Sequence, residues 1–171
     1  VGTEAEFIAY AENLKATHYN DGTAIPNVTD NDEWAALTTG AYCWYSNDAT
    51  AYKDTYGALY NWYAVNTGKL APTGWHVATD AEWTTLTDYI ASDGHSGTEG
   101  TALKATSGWY NEGNGTDDYG FTALPGGSRY GNGAFIYVGD DGYWWSATEV
   151  NAGYAGLRDM YYTSSRRRQR K

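Results

Sequence analysis

Between Thr79 and Ala91 the apolar residues Trp83, Leu86 and Ile90 stand three and four positions apart, the spacing of one helical face. Thr79 is followed three residues later by Glu82, a capping-box pattern in which each side chain satisfies a free backbone donor at a helix start. The run TDAEWTTLTDYIA therefore predicts a helix. A second stripe, Tyr56, Leu59, Tyr60 and Tyr63 with Trp62 beside it, predicts another over TYGALYNWYAVNT. Both stripes read as core faces rather than ligand sites. Elsewhere the apolar residues come in short runs bounded by Gly and Asp clusters. Ala41–Tyr45, Trp75–Val77, Ala134–Val138 and Tyr143–Ser146 predict strands. The fold class is α+β: two helices with a small, mostly antiparallel sheet and many loops. Trp144 and Trp145 are adjacent in a predicted strand and point to opposite faces. One should enter the core while the other covers a loop or lines a binding face. Gly126 and Gly127 predict a tight turn that a residue with a Cβ could not follow.

Composition changes the picture of the core. With 8 Trp and 17 Tyr against one Met and three Phe, most large apolar surface carries a polar tip, which suits irregular cores and binding surfaces alike. A chain of 171 residues is long enough for a proper core and is read as one domain, 1–171. No run approaches the roughly 18 to 20 apolar residues that cross a bilayer, so no membrane insertion is expected. No signal-like segment precedes Val1, as in a mature or excised piece.

Charge is divided abruptly. All 21 acidic residues and only six Lys or Arg lie before residue 164, while residues 164–171 add five cations in TSSRRRQRK. An acidic body repels phosphate backbones, so the basic end is not read as a nucleic-acid tail.

Candidate chemistry is sparse. A single cysteine, Cys43, excludes an internal disulfide and a cysteine zinc cage. It reads as a buried small hydrophobe, with a bridge to a partner outside the chain as the alternative. His18, His76 and His95 form no metal or catalytic spacing. Oxygen-rich runs occur at Asn111, Glu112, Asn114, Asp117 and Asp118, and at Asp140 and Asp141. Gly-punctuated carboxylates of this kind could hold a structural calcium ion, but their spacing fits no EF-hand and solvated turns are the preferred reading. No other cofactor is expected.

Several longer stretches carry a resemblance: AENLKATHYNDGTAIPNVTDNDEWAALTTGAYCWYSND, YGALYNWYAVNTGKLAPTGWHVATDAEWTTLTDYI, GFTALPGGSRY and GYWWSATE. From about Ala11 to at least Tyr162 the chain resembles the Fibrobacter succinogenes major paralogous domain, a family of bacterial surface and secreted modules. That family is in turn similar to the formylglycine-generating-enzyme-like branch of the C-type lectin fold, through HVATDAEW and LPGGSRY. The resemblance implies a C-type-lectin-like domain, an extracellular or cell-surface location, and a final strand beyond Lys171 whose cysteine would partner Cys43. Ala71 stands where many relatives have a cysteine.

Function is argued from a site, not a fold. No cysteine pair follows the WW strand, so an oxidase of the formylglycine-generating type is the weakest reading and the chain is expected not to be an enzyme. Neither Glu-Pro-Asn nor Gln-Pro-Asp occurs, which leaves calcium-dependent lectin activity unsupported. In resembling modules, including variable proteins diversified by retroelements, the stretch after YWWSATE forms an exposed face on a fixed scaffold. Ala152, Ala155, Arg158, Met160 and Tyr162 match the framework. The positions between, Val150, Tyr154, Leu157, Asp159, Tyr161, Thr163, Arg166 and Arg168, are the candidate ligand-binding residues. Tyr and Arg give much contact energy per residue. The leading expectation is an adhesion or binding module recognising a protein or glycan, with the basic end favouring an acidic partner. The alternative is a structural or tip subunit of a surface or phage-borne assembly, in which copies self-assemble.

Overall fold

The computed structural model describes residues 12–151 and 154–168, the last five and Tyr154 by their backbone. Five short α-helices and three small antiparallel sheets are present among them, an α+β fold. α1 (Asn31–Ala35) is N-capped by Asp30, whose carboxylate accepts from Glu33 N, and it buries Trp34. α2 is Ala49–Tyr56, α3 is Trp62–Val65, α4 is Asp80–Ile90 and α5 is Glu99–Leu103. β1 (Tyr42–Cys43) pairs with β2 (Leu59–Tyr60), and β3 (Gly126–Arg129) with β4 (Phe135–Val138). β5 (Asp141–Asn151), β6 (Tyr154–Tyr161) and β7 (Ser164–Arg168) form the third sheet in that order.

α4 forms as its sequence dictates. The hydroxyl of Thr79 accepts from Glu82 N at 3.2 Å, and the Glu82 carboxylate accepts from Thr79 N at 2.7 Å, the reciprocal capping box. The backbone bond from Thr79 chiefly holds the Glu82 carboxyl below its usual range. Trp83, Leu86 and Ile90 are buried on one face.

The second predicted helix is corrected. TYGALYNWYAVNT is split into the end of α2, strand β2 and the single turn of α3. Gly57 ends α2 at φ 72°, and a Cβ there would lie 2.8 Å from Asn13 Cβ and Leu14 O, so the incoming chain requires glycine at this break. Asn61 then restarts the helix, its side-chain oxygen accepting from Ala64 N at 3.0 Å while also holding Ala41 N at 3.0 Å. Leu59 and Tyr60 are half-buried, but as neighbours in a strand they face opposite sides and pack in different apolar clusters rather than on one stripe.

Other differences follow the same logic. Trp75–Val77 is not a strand: Trp75 N donates to Pro72 O at 2.9 Å in a turn. The predicted 41–45 strand is only β1, because Tyr45–Asn47 turns into a short 3-10 segment. Gly126 and Gly127 lie in β3 rather than in a turn. The need for glycine holds at Gly127, which has φ 64° and would set a Cβ 2.5 Å from Ile136 O. The stretch after YWWSATE, read as an exposed face, is the end of β5 followed by the β6–β7 hairpin.

Three apolar clusters result. The largest joins α4 and α5 to the sheet through Trp83, Leu86, Ile90, Leu103, Trp109 and Met160. A second gathers Ile25, Tyr42, Trp44, Val65 and Leu70, and a third Val28, Trp34, Ala41 and Cys43. Cys43 is fully buried, and burial pushes its thiol up to about 11, so it packs as the small hydrophobe expected.

Candidate functional site

The site is built on the β5–β6 ladder. In its register Trp144 faces Arg158 and Gly142 faces Met160, which places these four on one side. Tyr143 opposite Asp159, Trp145 opposite Leu157 and Asp141 opposite Tyr161 occupy the other. The framework positions turn inward: Ala155, Arg158 and Met160 are buried, and Tyr162 packs against the largest cluster. Ala152 lies outside the described residues.

The candidate ligand-binding positions divide. Val150 is 46% exposed at the far end of β5, Thr163 is exposed at the β6–β7 turn, and Leu157 and Tyr161 are half-buried between them. Asp159 is a correction: at 1% exposure it offers no free surface. It sits mid-strand with Tyr143 across one ladder and Arg168 across the other, and its carboxylate accepts from the Tyr161 hydroxyl at 2.5 Å. Sequence alternation marks which side a residue takes, not whether that side is covered. Tyr154 opens β6, and Arg166 and Arg168 belong to β7, whose only partner among the described residues is β6. The side chains of these three lie outside the described residues.

The expectation for the two tryptophans is corrected in part. They do take opposite sides, but both enter cores. Trp144 meets Phe121 edge-on at 6.2 Å beside the α4 cluster, and Trp145 stacks obliquely on Trp62 at 5.8 Å within the second cluster. Their indole N–H groups are engaged, Trp145 with Tyr60 O at 2.8 Å and Trp144 with Asn13 Oδ1 at 3.3 Å. Both also border a cleft of 510 Å³ between β2, β3 and β5, and Leu157 stands on its wall.

Two buried cations fix the sheet, and sequence reasoning missed the charge role of both. Arg158 is 2% exposed and pairs with the Asp80 carboxylate at the start of α4, adding a bond to Asp80 O at 3.2 Å. The pair ties β6 to the helix. Lys104 is 3% exposed; its Nζ donates to Tyr161 O and to Gly113 O at 3.3 Å and lies 4.5 Å from the centre of the Trp109 ring. Nothing in LKATSGWY distinguishes this lysine from a surface one.

Burial pushes Lys104 down to about 8, against a smaller upward pull from Asp141. Between that value and the ordinary lysine range the unfolded chain binds more protons than the folded one, so stability should rise with pH. Above about 9 the gain should be offset and then reversed, because burial raises Cys43 to about 11 and also raises Tyr45, Tyr56 and Tyr60, so the unfolded thiol and then the unfolded tyrosines ionise first. Urea midpoints taken across pH 7.5 to 9 should climb in the native chain and lose most of that slope in Lys104→Met.

The oxygen-rich runs serve as turn clamps. The Asp117 carboxylate accepts from Thr122 N at 2.7 Å and Thr122 Oγ1 at 2.8 Å, and Asp118 accepts from Thr116 Oγ1 at 2.6 Å. Asn114 Oδ1 accepts from Trp109 N at 3.1 Å. Asp140 O accepts from Tyr162 N, and the buried Asp141 accepts from the Tyr143 hydroxyl at 2.9 Å. Among the described residues, no three of His, Cys, Asp and Glu gather in a way that could hold a metal ion, and no helix is long and apolar enough to cross a membrane.

No curated protein and no solved structure matches the chain. One family model does, over residues 10–170, which takes in every helix and strand described above. The chain belongs to the Fibrobacter succinogenes major domain family.

Proposed function

We propose that this is a non-catalytic extracellular binding or adhesion module, a C-type-lectin-like domain that recognises a protein or glycan through the C-terminal face of the β5–β6–β7 sheet. The observation that carries the reading is the division along β6. Ala155, Arg158 and Met160 lock the strand to α4 and the main core, while Leu157 and Tyr161 on β6, Val150 on β5 and Thr163 in the β6–β7 turn keep solvent contact on a sheet that is already fixed. A rigid scaffold with exchangeable outward residues suits recognition, since ordering the face costs little on binding. The basic residues of β7 on an otherwise acidic chain favour an acidic partner and speed encounter with it.

Replacing Arg166 and Arg168 by Ser should abolish capture of whatever partner a glycan and surface-protein screen returns, leave the thermal midpoint unchanged, and remove the salt dependence of binding. Capture at undiminished strength by that variant would take these residues out of the site.

A second reading, a subunit of a bacterial surface or phage-borne assembly, is favoured by one feature. β7 is the edge of its sheet among the described residues, and such an edge can accept a neighbour's strand. Mass in solution separates the two, because a discrete monomer at high concentration is incompatible with assembly.

A further inference from the structure

The binding-module reading leaves open whether the partner is a glycan or a protein; the 510 Å³ cleft beside Leu157 bears on that choice. Its volume lies within the range of about 300–1,000 Å³ typical of ligand sites. Among the described residues on its wall there is no carboxylate, and Arg129 is the one charged side chain. The Arg129 guanidinium is already engaged, donating to Val28 O at 2.6 Å, Thr29 O at 3.0 Å and Asp30 O at 3.2 Å while lying over the Trp34 ring. Asn13 is engaged at both ends of its amide, donating to Tyr56 O and accepting from Trp144 Nε1. The Tyr60 hydroxyl donates to Ala16 O at 2.7 Å. Ser128 Oγ has no partner, yet solvent does not reach it. The Tyr143 hydroxyl is bonded to Asp141, which leaves the Tyr56 and Tyr130 hydroxyls to answer a ligand, so a sugar ring would bring more hydroxyls than the wall's side chains can meet, at about 1–3 kcal/mol for each buried polar group left unpaired. An apolar side chain carries no such cost and gains contact with Tyr60, Trp144 and Trp145.

We propose that the cleft is an anchor pocket for an aromatic or branched aliphatic side chain presented by a protein partner, and that Leu157 sets the size of the side chain admitted. Leu157 joins the two halves of the argument. It is a candidate recognition position on β6, it stands opposite Trp145 in the ladder, and it borders the cleft. This makes it a specificity-determining residue of the face. The position can vary because it is only half-buried, and each change would reshape the pocket without touching the framework.

The test uses the whole chain with three probes, N-acetyl-tryptophanamide, N-acetyl-leucinamide and N-acetylglucosamine, followed through the indole N–H resonances of Trp144 and Trp145. Both amino-acid amides should shift these signals at millimolar concentration, and the sugar should not. Leu157→Trp should weaken the tryptophan probe by about tenfold or more, and Leu157→Ala should turn preference toward it. Thermal midpoints of both variants check that the fold persists. Shifts produced by the sugar instead, no shift with either amide, or equal affinity in Leu157→Trp would overturn the proposal. If the probes fail while the Arg166 and Arg168 variant still loses its partner, the face binds without the cleft. That result removes the anchor pocket and leaves the binding-module reading in place.

Discussion

Asp80→Ala should destabilise the domain by about 3 kcal/mol, and Arg158→Met by only about 1 kcal/mol, although the two side chains form one ion pair. The asymmetry follows from burial. Arg158 is almost wholly enclosed, so removing its partner strands a cation away from water. Asp80 keeps about a third of its side chain in solvent and sits in the first turn of α4, where the exposed backbone donors favour negative charge. It tolerates the loss of Arg158. Methionine also fills much of the space the arginine stem occupied. Urea unfolding of both variants measures the difference. Equal losses, or the larger loss in Arg158→Met, would mean that the pair does not hold β6 to α4 as described.

Trp109→Ala should cost about 3–5 kcal/mol, the usual range for emptying an aromatic site in a core. The ring lies in the largest cluster, and its Nε1 donates to Ala123 O at 2.9 Å across a buried contact. It also covers the buried Lys104 ammonium at 4.5 Å. Trp109→Phe separates these roles, since it keeps much of the bulk and a ring for the cation but removes the indole bond to Ala123 O, which is left with Ala105 N as its donor. About 1–2 kcal/mol is expected for that change. A loss below 1 kcal/mol in Trp109→Ala, read from chemical unfolding, would show that the region around Lys104 is not part of the cooperative core.

These two sites also show what could be read before the fold was known. α4 was legible because every signal that makes it is local: Thr79 and Glu82 cap it, and Trp83, Leu86 and Ile90 space its face. The broken segment after Tyr56 was not, because the decision lies in a contact 43 residues away. Gly57 gives way to the passing backbone at Asn13 and Leu14, and the Asn13 amide fastens Tyr56 O. Family resemblance placed Arg158 in the framework, but its ion partner 78 residues earlier carried no sequence mark. Alternation along β6 gave sides correctly and exposure wrongly for Asp159, because whether a side is covered is decided by what the packed chain lays over it. The cleft was invisible for the same reason. Its walls come from β2, β3 and β5, three segments that only the packed chain brings together.

The central claim, recognition through the outward positions of a locked sheet, is tested most directly by one comparison. A glycan and surface-protein array should be probed with the native chain and with a variant carrying Ser at Val150, Thr163, Arg166 and Arg168. The account predicts at least one specific partner for the native chain, lost in the variant at an unchanged thermal midpoint. A partner bound equally well by both proteins would contradict it.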